Sequence, residues 1–101
     1  MQFLLIAYDG KDDAALDRRL NARDQHIALG DKLVSEGHML YGTAILDDTG
    51  KMIGSMLVLD FPDREQLDEW LAVEPYMLGN VWEDVQVQPT RVGPSFVGLH
   101  H

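Results

Sequence analysis

His26 is the residue whose chemistry is simplest to state, because an imidazole takes up and returns a proton near neutrality. Such a group needs a partner that orients it. Glu74 is the leading candidate, since Pro75 fixes the backbone beside it. A carboxylate bonded to one ring nitrogen sets the tautomer, stabilises imidazolium and leaves the other nitrogen for substrate. Asp9, Asp24 and Asp60 compete for that role. Arg23, three residues before His26, offers a planar fork suited to an anionic or enolic oxygen; otherwise its stem lies along the core with the charge in water. Arg19 reads as a solvated helix charge. Gly54-Ser55 interrupts an otherwise apolar run, Lys51 to Phe61, where a glycine weakens a strand unless a bulge or a close approach requires it. A pocket wall would account for both residues, with Ser55 presenting a hydroxyl. The plain alternatives are an edge-of-core histidine with a backbone or water partner, a solvated helix-end glutamate, and a bulge with a locally satisfied serine.

These residues must be positioned by regular elements. Residues 2 to 9 are apolar on both alternating faces and read as a central strand. Gly10 ends it. Asp12 and Asp13 are candidate caps for a helix reaching about Glu36, where Gly37 supplies the stop. On that helix Leu16, Leu20, Arg23, Ile27, Gly30 and Val34 share one side, which is the expected core face, with Arg19, Arg23 and His26 along its edge. Strands His38–Asp47 and Lys51–Phe61 flank the turn Asp47-Asp48-Thr49-Gly50 and form a hairpin. Asp63, with Gln66 three residues on, caps a second helix whose buried face holds Leu67, Trp70 and Leu71. Glu74-Pro75 breaks that helix. Trp82 to Thr90 alternates valines with Asp84, Gln86 and Gln88 as a last strand with one wetter face.

The order β-α-β-β-α-β predicts an α+β, ferredoxin-like fold: a four-stranded antiparallel sheet with two helices on one face. The other face keeps apolar residues, Tyr41 or Leu40 and Met56 or Leu57 according to register, and a second copy is the simplest cover. The tail from Arg91 is expected to lie across a partner subunit.

Composition narrows the function. With 17 Asp and Glu against 8 Lys and Arg, a net charge of −9 repels phosphate backbones and anionic lipid surfaces, so nucleic acid is excluded as a partner. No apolar run reaches the length of a membrane span, and the N-terminus lacks a basic leader region. The absence of cysteine removes disulfides, thiolate metal sites and cysteine nucleophiles. The expectation is a soluble, cytoplasmic protein of one folding unit, with no cofactor and no metal. His100-His101 carries no metal-binding weight. Nucleophile elbows, phosphate loops and dinucleotide fingerprints are missing from the sequence.

Arg23-x-x-His26, Glu36-Gly37, Gly54-Ser55, Glu74-Pro75-Tyr76 and Val87-x-Pro89, in this order and spacing over residues 2 to 90, resemble the YciI-like, or YCII-related, proteins. The resemblance implies a single YciI-like domain over 1–101, with its core in 2–90 and a tail in 91–101, assembled as a dimeric α+β barrel. It also implies a pocket in which a histidine and an aspartate have been proposed as a catalytic dyad, and His26 matches that histidine by position. The family's Asp-Pro-Tyr or Asp-Pro-Phe stands here as Glu74-Pro75-Tyr76, one methylene longer, which predicts a displaced carboxylate unless the backbone compensates. Gly42-Thr43 stands where the family tends to carry Gly-Pro. The activities implied by resemblance include dehydrochlorination of a chlorinated hydroxyhydroquinone, and the general fold also serves lactone isomerases and cofactor-free monooxygenases.

Two readings follow. The first is a small cofactor-independent lyase or isomerase acting on a phenolic or enolisable substrate. In it His26 moves the proton, Glu74 orients it, Arg23 holds the oxygen anion, and Ser55 and Tyr76 position the ring. The second is a non-catalytic homodimeric module that binds a small molecule or serves an assembly.

Overall fold

In the computed structural model, which describes residues 1–98, the alternation of strand β1 (Gln2–Asp9) is resolved into two different environments. Phe3, Leu5, Ala7 and Asp9 are buried beneath the helices, whereas Leu4 and Ile6 are half-covered and Tyr8 is exposed on the opposite face. β1 lies between β3 (Met52–Asp60) and β4 (Trp82–Thr90), and β2 (Met39–Leu46) pairs with the outer edge of β3. All three pairings are antiparallel in the order β2-β3-β1-β4. This is the ferredoxin-like arrangement expected from element order.

The register settles which strand residues share a face. Ala7 stands opposite Ser55 and Val85, and Leu5 opposite Leu57 and Val87, all toward the helices. Ile6 pairs with Met56, and Met56 with Thr43, while Tyr41 pairs with Val58 on the open face. Tyr41 and Met56 therefore occupy the open face, and Leu57 belongs to the core. At Gly54 an added Cβ would lie 2.5 Å from the Ala7 carbonyl oxygen. Close approach of the neighbouring strand is what requires glycine there.

Helix α1 (Ala15–Ser35) ends as its sequence dictates. Gly37 adopts φ +80°, the His38 amide donates to the Leu33 carbonyl at 2.8 Å, and the Gly37 amide donates to the Val34 carbonyl at 3.1 Å. That pair of bonds is a Schellman stop. The start departs from expectation: Ala14 occupies the N-cap without a side-chain bond. Asp12 instead takes the Arg18 guanidinium through both oxygens at 2.7 Å. Arg18 also donates from Nε to the Asn80 carbonyl at 3.1 Å, tying the helix to the chain just ahead of β4.

The buried face of α1 also differs from the sequence reading. Ala15, Arg19, Ala22 and Leu33 are buried, with His26 and Leu29 half-buried between them. Leu20, Ile27 and Val34 are exposed. The true face is the expected one moved back by one residue. Small alanines let the helix approach the sheet and the segment that carries Tyr76, and the bulk of the interior there comes from Tyr76 and Trp82 instead.

Helix α2 (Arg64–Val73) is capped by Asp63, whose carboxylate accepts from the Gln66 amide at 2.9 Å. It stops at Glu74, which has extended geometry (φ −64°, ψ 127°), and the four-residue helix α3 (Pro75–Leu78) begins at once with Pro75 in its first turn. A tail with a 3₁₀ turn at Pro94–Phe96 follows β4, and the Val92 amide donates to Gln2 Oε1 at 2.7 Å. The pair His100-His101 lies outside the described residues. Among the described residues no helix is long and apolar enough to cross a membrane.

Candidate functional site

Glu74 is both the last cap of α2 and the N-cap of α3. At a helix C-terminus alone its charge would be unfavourable, but here it faces the free amides that open α3, where a carboxylate is welcome. Oε1 accepts from the Tyr76 amide at 3.1 Å, and the same oxygen bonds His26 Nδ1. The carboxylate is 1% exposed and the imidazole 17%. The extra methylene relative to aspartate is thus absorbed, and the carboxylate reaches the ring.

The imidazole is fixed by more than this bond. It stacks on Tyr76 with centroids 3.8 Å apart and planes 9° from parallel, and it meets the Trp82 ring edge-on at 5.9 Å. Tyr76 and Trp82 are themselves in an edge contact at 5.5 Å. The two edge contacts with Trp82 are favourable aromatic geometries. With Nδ1 engaged by Glu74, Nε2 is the ring nitrogen left for chemistry. Burial pushes the Tyr76 phenol above its ordinary range, an effect that Arg19 and then Arg23 offset in part.

Arg19 is the residue that sequence reasoning misjudged. Far from being solvated, its side chain is 4% exposed and pairs with Asp9, which is 3% exposed. Nη1 donates to the two Asp9 oxygens at 2.9 and 3.1 Å, Nη2 donates to Ser55 Oγ at 2.9 Å, and the guanidinium carbon sits 4.8 Å from the Tyr76 ring centre. Ser55 Oγ also accepts from Trp82 Nε1 at 3.2 Å. Desolvation pushes the Asp9 carboxyl up, against the pull of Arg19. Arg23, expected near the middle of the core stripe, lies exposed at the rim. Its displacement and the burial of Arg19 have one cause, the one-residue offset of the helix face. The signal that would have found Arg19 is its spacing with Ala15, Ala22, His26, Leu29 and Leu33, which is hidden because a charged residue counts against a core face in any apolar pattern.

Together these side chains line a cleft of about 230 Å³, floored by Arg19, Ser55, Leu57 and Tyr76 and bordered by Arg23, His26, Ile27, Gly42 and Thr43. His26, Glu74, Ser55 and Tyr76 are thus brought together, with Arg23 at the mouth. Asp24 and Asp60 take no part: Asp24 is exposed, and Asp60 pairs with the N-terminal amine. A larger cavity of about 760 Å³ adjoins Asp9 and Met52, but it lacks a histidine or an oriented acid-base pair. Among the described residues no group of three or more histidines and carboxylates is arranged to hold a metal ion. The donors that line the cleft, Arg19, Arg23 and Ser55, suit oxygen anions.

Comparison with known proteins agrees with this architecture. The YciI protein of Escherichia coli O6:H1 (strain CFT073) is 30% identical over an alignment covering 90% of this chain and 97% of that protein. An uncharacterised protein of Haemophilus influenzae is 28% identical with the same coverage. Among solved structures, 5-chloro-2-hydroxyhydroquinone dehydrochlorinase (TftG) from Burkholderia phenoliruptrix AC1100, in complex with 2,5-dihydroxybenzoquinone, aligns with a TM-score of 0.79 at 19% identity, covering 94% of this chain and 98% of that one. A dimeric ferredoxin-like protein from Jannaschia sp. CCS1 aligns with a TM-score of 0.50 at 14% identity, covering 90% and 98%. At these identities the structural matches establish the fold. The model of the YCII-related domain matches residues 1–91, and the chain belongs to that family.

Proposed function

We propose that the protein is a cofactor-independent lyase or isomerase that moves a proton on a compact phenolic or enolisable substrate. The observation that carries this reading is the bond from His26 Nδ1 to the buried Glu74 carboxylate beside a cleft. A buried carboxylate bonded to an imidazole costs desolvation that simple packing would avoid. In return it fixes the tautomer and stabilises imidazolium as the proton arrives. The dehydrochlorinase that shares the fold, captured with a dihydroxybenzoquinone, supports a hydroxylated ring as substrate.

The chemistry then balances without a redox partner. His26 Nε2 takes a ring hydroxyl proton and returns it to the carbon bearing the leaving group. Loss of a second hydroxyl proton forms a carbonyl as the leaving group departs with its bonding pair, so the net loss is one molecule of acid. Arg23 at the mouth holds the developing oxygen anion, and Tyr76 supports the imidazole face while it bounds the ring. Ser55 acts through its bonds to Arg19 and Trp82. The protein works as a homodimer, an arrangement supported by the half-covered Leu4, Ile6, Met56 and Val58 on the open sheet face and by the dimeric relative of the same fold.

The test is His26→Ala assayed for halide release from 5-chloro-2-hydroxyhydroquinone. The expected result is a folded variant without turnover; a variant that turns over at the parent rate removes His26 from the mechanism.

A further inference from the structure

Arg19 is buried at a cost that its contacts do not explain. Nη1 donates to both Asp9 oxygens and Nη2 makes one bond, to Ser55, yet Nε is buried without a hydrogen-bond partner among the described residues, and an unpaired buried donor is destabilising. A buried ion pair is itself weak as a source of stability, since an apolar pair of similar volume does as well or better. The pair nonetheless holds a cation on the floor of the cleft that contains His26.

Charge is distributed in the same sense. The chain carries a net −9, but the residues lining this cleft include Arg19, Arg23 and His26 and no aspartate or glutamate among the described residues. Asp9 stands behind Arg19 and Glu74 behind His26, each bonded to the side chain in front of it. Arg19 and His26 are seven residues apart on one helix, about 10.5 Å along its axis, and the Tyr76 ring contacts both. A ligand lying across this cleft meets a proton carrier at one end and a fixed guanidinium at the other.

Resting on the proposed function, we infer that Arg19 is the specificity residue of this cleft: it selects ligands that carry a second, already ionised oxygen in addition to the one whose proton His26 moves. An acidic hydroxyl on a quinone, a carboxylate or an enolate meets this requirement, and a neutral ring of the same shape does not. Asp9 and Ser55 are positioning residues that aim the guanidinium.

The probe pair is 2,5-dihydroxybenzoquinone, which is acidic because each hydroxyl is a vinylogous carboxylic acid, and its neutral O-methylated form, 2,5-dimethoxybenzoquinone. Calorimetric titration of the intact chain is expected to show the acid binding about 30-fold tighter than the ether, the worth of one charge-assisted hydrogen bond. Since Arg19→Gln alone would strand the buried Asp9 carboxylate, the variant is the double replacement Asp9→Asn with Arg19→Gln, with Arg19→Lys beside it and circular dichroism on each. The double variant is expected to bind the two probes within about threefold of one another, and the lysine variant to retain part of the preference. A folded double variant that keeps the full preference, or a parent chain that shows none, overturns the assignment. Binding needs no turnover, so this result is read separately from the loss of activity in His26→Ala.

Discussion

Replacement of Glu74 by glutamine isolates the charge of the dyad from its shape. Both bonds made by the carboxylate end on a single oxygen, Oε1, which accepts from the Tyr76 amide and bonds His26 Nδ1. The glutamine carbonyl oxygen can take that position and accept from both donors, so the cap of α3 and the ring orientation are retained. What is lost is the negative charge facing imidazolium. A buried hydrogen bond to a charged group is worth about 1.5–3 kcal/mol, against a few tenths to 1.5 for a neutral one. A loss of about 2 kcal/mol that falls on the protonated state corresponds to roughly 30-fold in rate. The assay is kcat/KM for quinone formation from 5-chloro-2-hydroxyhydroquinone, followed by absorbance, with a thermal melt of each protein. The expected outcome is a drop of about 30-fold or more in kcat/KM with the fold intact. Unchanged kcat/KM in a folded Glu74→Gln variant would refute the argument that the carboxylate stabilises a charged His26.

Other outcomes follow from local features. The Arg18 guanidinium holds Asp12 down to about 2. A depressed carboxyl contributes stability that is present above its ordinary range and lost as pH falls through the folded value. Thermal melts of Asp12→Asn should therefore lie below the parent at neutral pH and converge with it as pH falls from about 4 toward 2; parallel curves would show that the pair contributes nothing. Gly54→Ala drives a Cβ to 2.5 Å from the Ala7 carbonyl oxygen, so the urea midpoint should fall by the equivalent of about 2–3 kcal/mol, and an unchanged midpoint would mean that the sheet yields there freely. Light scattering at micromolar concentration should give twice the chain mass, and Met56→Glu, on the open face, should return it to the monomer. A monomeric parent would remove the homodimer from the proposal.

Local signals in the chain were enough for the order of the four strands and the two long helices, because several boundaries are written in residues that act on their own backbone. Gly37 stops α1 through a left-handed φ that other residues resist, Asp63 caps α2 with its own carboxylate, and Pro75 prevents α2 from running on. The alternation of Val85 and Val87 with Gln86 and Gln88 likewise assigned the faces of β4 before any partner strand was known. His26 and Glu74 could be nominated for the same local reasons, as an imidazole at a helix border and a carboxylate held by a proline.

Tertiary structure decided which side of α1 faces inward, and with it the composition of the cleft. Apolar periodicity favoured Leu20, Ile27 and Val34, yet these are exposed, and the inward face carries Arg19 and His26 among alanines. Hydrophobicity cannot rank a face that is buried by ion pairing and aromatic stacking, since the free energy of those contacts belongs to partners distant in sequence. Asp9 is ten residues from Arg19 and Ser55 thirty-six, and Glu74 is forty-eight from His26. The residue types and their chemistry were present in the sequence; the joining of Arg19 to Asp9 and Ser55, and of His26 to Glu74 and Tyr76, required the sheet register and the break at Pro75 to bring them within bonding distance.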